Sequence, residues 1–261
     1  MRALKIAATG MMAQQMRVEV ISNNLANMNT TAYNTRRAEF SDLHYQQIVR
    51  AGSINAADGT TVPAGVQLGL GVRPSAVSVN VAQGALSATG GELDLAVDGD
   101  GYLEVTMPTG ATGYTRDGAL KRTGDGLIVT SDGFPIAPEI TIPTDARSIS
   151  INAEGEVYAY FNDTVEPELL GQISLTGFSN DKGLEAIGGN LFLETAASGP
   201  PITGTAGQNG LGTFRHGYLE GSSVDAVREI TELIEAQRGY ELNGKVITAA
   251  DQMLGATTQI R

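Results

Sequence analysis

No cysteine and no tryptophan occur in the chain, and histidine occurs only twice. The first absence excludes disulfides, cysteine-based zinc sites and thiol nucleophiles. Two histidines exclude a three-histidine metal site. A cysteine-free chain suits any redox environment, so no compartment follows from it. Aromatic residues make up 5% of the chain, too few for a cleft that stacks sugars. No apolar run approaches the ~18–20 residues of a membrane-spanning helix. The stretch "IAATGMMA" is short, runs into Gln14 and Gln15 and shows no cleavage pattern. No cleaved secretory signal is therefore expected.

What is present is acid, and it is unevenly placed. The formal net charge is −12. Residues 1–40 hold five Lys/Arg against two acids, or +3. Residues 220–261 hold four against seven, or −3. The ends cancel, so the middle carries the whole −12. An acidic middle repels phosphate, which argues against nucleic-acid binding. Opposite signs at the two ends predict that the ends lie side by side.

Three zones follow along the chain. In residues 2–28, apolar or small positions recur at Leu4, Ala8, Met11, Val18 and Leu25, with Ala7, Ile21 and Met28 beside them. Steps of four and three make the seam of a helix that packs along another helix. Four asparagines, Asn23, Asn24, Asn27 and Asn29, crowd the end of this seam. Asn competes for nearby backbone groups and should end a helix, yet the apolar spacing continues among them. The last zone runs from residue 222 to 260, with Ser222 and Asp225 as a capping signature. Its seam reads Ala226, Ile230, Leu233, Gln237, Tyr240, Gly244, Ile247, Asp251, Leu254 and Thr258, widened by Val227 and Ile234. At 1.5 Å per residue such a helix reaches ~55 Å. Residues 41–219 between these zones hold 28 of the 33 glycines and all 9 prolines. Their apolar residues alternate, and Asp117-Gly118, Asp125-Gly126 and Asp132-Gly133 are hairpin-turn signals. An antiparallel β domain is predicted there. Residues 46–70 are small, polar and Gly-rich and read as a long loop or extended arm. Isolated helices owe most of their stability to tertiary packing, so the two terminal helices are expected to pair, with the β domain inserted between them.

The middle holds no convincing chemistry. "DLAVDGDGYLE" lines up Asp94, Asp98, Asp100 and Glu104, but a calcium loop needs a ligand where Tyr102 stands and Glu at the twelfth position, not the seventh. Alternation puts these acids on one solvated strand face. His44 and His216 flank the β zone without a G-x-S-x-G serine elbow. "GLGVRP" and "GGELDL" lack the strand–loop–helix context of a phosphate cradle. No catalytic constellation, metal site or cofactor site is predicted, and the chain is not expected to be an enzyme.

The two ends do carry a signal. "ISNNLANMNTTAYNTRRAEF" resembles the N-terminal signature of the flagellar rod and hook axial proteins, and "AQRGYELNGKVITAADQMLGATTQI" resembles their C-terminal signature. Between them "GVRP", "LDLAVDGDGYLEV", "YTRDGAL", "GLIVTSDGFPI", "ITIPTDARSISIN", "GQISLTGFSNDKGLEAIGGNLFLET" and "GQNGLGTFRHGYLEGSSVD" fall in the order expected of distal-rod members. The resemblance covers essentially the whole chain. It departs at Asn34, where many members have a basic residue, and at Ala32, where Gly is usual.

The resemblance implies a structural subunit without enzymatic activity. Such a subunit polymerises with copies of itself into a helical, tubular drive shaft. The shaft carries torque from the motor and proximal rod to the hook, inside the outer P and L rings. Implied partners are proximal rod proteins, hook or hook-junction proteins, the ring proteins and the flagellar export apparatus, with no membrane insertion. The implied location is the basal body, where the rod crosses the periplasm. The fold expectation is α+β, with coiled-coil-like paired terminal helices, an inserted antiparallel β domain and an arm. Its segments are 1–35, pairing with 222–261, then 36–73 as linker and arm, and 74–221 as β domain. Expected subunit contacts are Leu4, Ala8, Met11, Val18, Ile21, Leu25, Met28, Ile230, Leu233, Ile234, Tyr240, Ile247 and Leu254. Residues matching the family motifs are Asn23, Asn24, Leu25, Ala26, Asn27, Gln237, Arg238, Tyr240, Asp251, Gln252, Met253 and Leu254. Two rival classes share some features. A secreted fibre or adhesin would share the layout but should show a signal or anchor. A β-rich polysaccharide hydrolase would explain the acidic hairpins.

Overall fold

The computed structural model describes residues 2–50, 52, 64–162 and 166–259. It divides into two compact units, one formed by residues 1–26, 36–78 and 225–261, the other by residues 27–35 and 79–224. Terminal helices with an inserted antiparallel β region make the fold α+β.

In the first unit, α1 (Arg2–Ala26) packs along α2 (Ala226–Gln259). Contacts pair Asn24 with Glu229, Arg17 with Glu232, Gln14 with Gly239 and Gly10 with Asn243. Numbers fall along one helix as they rise along the other, so the helices are antiparallel. A Cβ at Gly10 would come within 3.0 Å of the Asn243 side chain, and one at Gly239 within 3.1 Å of Gln14. These two glycines let the helices approach closely, which offsets their poor helix propensity. Asp225 caps α2, accepting from the backbone N–H of Val227 at 3.0 Å and of Arg228 at 3.3 Å. Ser222 does not take that role, since α2 starts at Ala226 and a cap bonds the second or third helical N–H.

Strands β1 (Arg36–Asp42) and β4 (Val72–Val79) pair in the first unit. Strands β2 (Tyr45–Val49) and β3 (Val66–Gly69) form an antiparallel ladder. The flanks of the predicted arm are therefore hairpin strands rather than loop, built on Tyr45, Ile48, Val66 and Leu68. β-branched and aromatic residues suit a pleated strand. The central part of that arm, residues 53–63, lies outside the described residues.

The second unit is antiparallel β. Its six-stranded sheet runs in the order Glu185–Gly188, Leu191–Leu193, Thr112–Thr115, Tyr102–Thr106, Leu175–Gly177, Ile202–Gly204. "SISINAEGEVYAYFN" is the predicted hairpin, with Ser148–Ile151 antiparallel to Glu156–Tyr160. Leu95, Val97, Leu103, Val105, Ile142, Val157, Ile173 and Leu175 are fully buried in one core. Of the three Asp-Gly pairs, Gly126 and Gly133 have φ near +87 and +88, as turns require. Gly118 serves another end: a Cβ there would sit 1.5 Å from the Leu95 carbonyl oxygen.

Candidate assembly interface

The asparagine cluster is where the first unit is tied together. Asn24 is buried, and its Nδ2 donates to the Arg36 carbonyl at 2.8 Å while its Oδ1 accepts from the Arg36 N–H at 3.0 Å. One amide thus pairs with a residue's backbone as a strand neighbour would, fixing where β1 starts beside the end of α1. The same Nδ2 donates to Glu229 Oε2 in the first turn of α2, at 3.1 Å. Helix end, strand start and second helix meet at one side chain. Asn27 lies beyond the helix, where its carbonyl and its Oδ1 accept from the Thr30 N–H and hydroxyl, each at 3.1 Å. The asparagines therefore divide the work, one holding a junction and one shaping the turn after it.

Glu229 is 6% exposed. Burial holds its carboxyl above the usual carboxylate range; the hydrogen bond from Asn24 opposes that shift, Glu232 and Asp225 add to it, and Arg228 opposes it. Nearby, Arg17 pairs with Glu232 at 3.3 Å and Glu235 at 3.7 Å. These pairs realise the opposite charges of the two ends, and half-exposed pairs contribute about 0–1 kcal/mol each.

The predicted contact residues fall into three groups. Ile21 is buried. Leu4, Ala8, Met11, Val18, Leu25, Leu233 and Ile247 are half-buried. Met28, Ile230, Ile234, Tyr240 and Leu254 are exposed, and Met28 lies past the end of α1. Among the motif residues, Asn24 is buried, Leu25 and Asn27 are half-buried, and Asn23, Ala26, Gln237, Arg238, Asp251, Gln252 and Met253 are exposed.

Within the chain, α2 meets α1 along a line set by Glu229, Ala236, Gly239, Asn243 and Ala250. That line runs one position before much of the seam read from the apolar spacing. The reason is size: close helix approach uses small residues, and it leaves larger ones outside. Val227, Ile230 and Ile234 are 76%, 46% and 45% exposed. At 100° per residue they share a face turned away from Ala236. Sequence reading missed Glu229, Arg36 and Thr9, whose hydroxyl accepts from the Val72 N–H at 3.3 Å. The only sequence signal for Glu229 was an acid in the first turn of a helix.

Two acids of the 94–104 run have side-chain partners. Asp98 pairs with Arg215 at 2.7 Å, and Asp94 accepts from the Thr89 hydroxyl. Among the described residues, no group of three or more His, Asp or Glu is placed to hold a metal ion. No described helix is long and apolar enough to cross a membrane.

Three family models match the chain. They are described as "Flagella basal body rod protein" over residues 4–33, "Flagellar hook protein FlgE/F/G D1 domain" over 96–159, and "Flagellar basal body rod FlgEFG protein C-terminal" over 215–260. The first covers the asparagine cluster and the last covers the whole of α2. The chain is 52% identical over 261 residues to the flagellar basal-body rod protein FlgG of Caulobacter vibrioides, covering 100% of both chains. It is 49% identical to the flagellar basal-body rod protein FlgG of Agrobacterium fabrum, covering 97% of each. It is 34% identical to the flagellar hook-basal body complex protein FlhP of Bacillus subtilis, covering 100% of each.

Proposed function

This chain belongs to the flagellar basal-body rod proteins, and from that premise we propose how its surfaces build a shaft. It is a structural subunit of the flagellar distal rod, located in the basal body. The row Val227, Ile230 and Ile234 on α2 is the seam between copies. The observation that carries this is the exposure of that row on the face of α2 turned away from the line that already packs against α1. Each buried Ile or Val contributes roughly 1.5–3 kcal/mol, so a second copy gains most by covering it. In this reading the terminal helices form the coiled, axial inner layer of a helical polymer, with Leu25, Leu233, Tyr240 and Leu254 at its contacts. The β unit forms a hydrated wall that turns inside the P and L rings. The hairpin of β2 and β3, with the arm it carries, bridges neighbouring copies and limits bending. Proximal rod proteins and hook or hook-junction proteins take the two ends of the polymer, and subunits arrive through the flagellar export apparatus without a cleaved signal. No catalysis is part of this role.

Electron microscopy of purified protein tests it. Wild-type chain should form tubes, and Ile230→Asp or Leu233→Asp should abolish them while the β unit still melts as in wild type. Normal tubes from both variants would overturn the seam.

A further inference from the structure

The second unit contains a buried ion pair that the polymer contacts do not use. Arg116 and Glu220 are 5% and 3% exposed, with Arg116 Nε donating to Glu220 Oε2 at 3.0 Å. Arg116 also donates to the carbonyls of Gly99 at 2.9 Å and Gly101 at 3.3 Å, on the turn before strand Tyr102–Thr106. Its guanidinium lies 5.9 Å from the centre of the Tyr102 ring. The second oxygen of Glu220 accepts from the Gly84 N–H at 2.9 Å. All three guanidinium nitrogens and both carboxylate oxygens thus bond backbone or each other.

Glu220 stands where the chain leaves the β unit, and its carbonyl accepts from the N–H of Ala32, where the chain enters, at 2.9 Å. Three residues on, the two passages are laced again. Ser223 N–H donates to the Tyr33 carbonyl at 3.0 Å, Thr35 N–H donates to Ser223 Oγ at 2.9 Å, and the two hydroxyls are 2.8 Å apart. Asn190 Nδ2 donates to the Thr31 carbonyl at 3.0 Å, holding the incoming passage beside the six-stranded sheet. Ala32 sits at φ 54, a strained conformation for a non-glycine residue, which persists only where its surroundings hold it.

A buried ion pair is weak evidence for stability, because desolvation offsets its attraction. Its effect here is geometric. We infer that Arg116 and Glu220 are a positioning pair that clamps the incoming passage 27–35 and the outgoing passage 218–224 into one two-stranded tether, so that load enters the β unit through both together. The clamp stands on this unit alone; its load-bearing role rests on the rod reading. Two separate strands would take load in turn, and the looser one would let the wall lag behind the shaft. A laced pair carries shear across all its hydrogen bonds at once.

The test uses the full chain. Arg116→Met/Glu220→Leu replaces both charges by apolar groups of similar bulk, which leaves neither unpaired and keeps the core filled. Hydrogen exchange should speed up roughly tenfold or more at 27–35 and 218–224, with strands 148–160 unchanged. Unchanged exchange in the tether overturns the clamp, as does an equal rise throughout the unit. Thr35→Cys/Ser223→Cys supplies the rescue. The chain has no other cysteine, and the hydroxyls stand close enough for a disulfide to form with little movement. In a host deleted for its own copy, the charge-free variant should swim poorly in viscous medium, and the oxidised cysteine pair added to it should restore swimming. Normal swimming with a loosened tether overturns the load-bearing role. Failure of the wild-type chain to support swimming would instead count against the rod reading, leaving the exchange result to decide the clamp.

Discussion

The two units solve opposite packing problems. The β unit puts its large apolar residues inside: Leu95, Leu103, Ile142, Val157, Ile173 and Leu175 are all fully buried. The helical unit, apart from Ile21, buries alanines and leaves many of its large apolar residues outside. Ala7, Ala13, Ala236 and Ala250 are buried, whereas Met12, Val227, Ile230, Leu242 and Val246 are exposed. Apolar contact of this extent on a surface marks an interaction site. One unit is a finished globule. The other leaves large apolar side chains exposed, and in the proposed reading it is completed only when copies meet.

The sharpest break of this comparison is a matched pair of truncations. Leu175→Ala should cost the β unit about 2–5 kcal/mol in denaturant unfolding. Ile230→Ala should move the isolated chain by within about 0.5 kcal/mol, yet slow polymerisation strongly by light scattering. Equal effects on the isolated chain would dissolve the distinction between the units.

Asn24→Ala comes next. It leaves the Arg36 backbone groups and a buried carboxylate without their amide, at about 1–3 kcal/mol per orphaned group. Exchange at β1 and the first turn of α2 should rise while the β unit stays protected. Equal protection in the variant would show that the amide is dispensable.

Glu229 gives a smaller effect with a definite sign. Its folded carboxyl binds a proton more readily than an unfolded one, so its contribution is fully present below the ordinary carboxylate range and is lost as pH rises through the raised value. The helical unit should therefore gain stability on mild acidification, and Glu229→Gln should flatten that dependence in thermal melts. An unchanged slope in the variant assigns the dependence elsewhere. The charged groups facing Glu229 are Asp225, Arg228 and Glu232, so each needs the same control.

Smallest is Ala32→Gly. The family resemblance expects Gly there, and φ 54 explains why. The change should stabilise the β unit by up to about 1 kcal/mol, less what glycine gains in unfolded freedom. A loss of stability would mean that the Ala32 methyl, which is buried, packs well enough to outweigh its strained backbone.

Much of the architecture was legible because it is written in local rules. Steps of three and four gave both helices, alternation with Asp-Gly turns gave the β domain, and opposite charges gave the pairing that Arg17 and Glu232 realise. The line of helix contact was not legible. Periodicity weighs residues by hydrophobicity, whereas antiparallel packing here selects for smallness at Gly10, Ala236 and Gly239. The hairpin flanking the arm was hidden by its Gly-rich, polar centre.

The sequence by itself determined the kind of protein this is: its elements, its acidic middle and the paired motifs that place it among rod proteins. Tertiary structure alone decided which asparagine holds the junction of helix, strand and second helix. Asn23, Asn24, Asn27 and Asn29 are the same residue at neighbouring positions, and no spacing rule separates them. Only folding brings the Arg36 backbone and Glu229 to Asn24. It also brings Arg116 to Glu220 across 104 residues, because partners so far apart are chosen by the packing of whole elements rather than by local sequence.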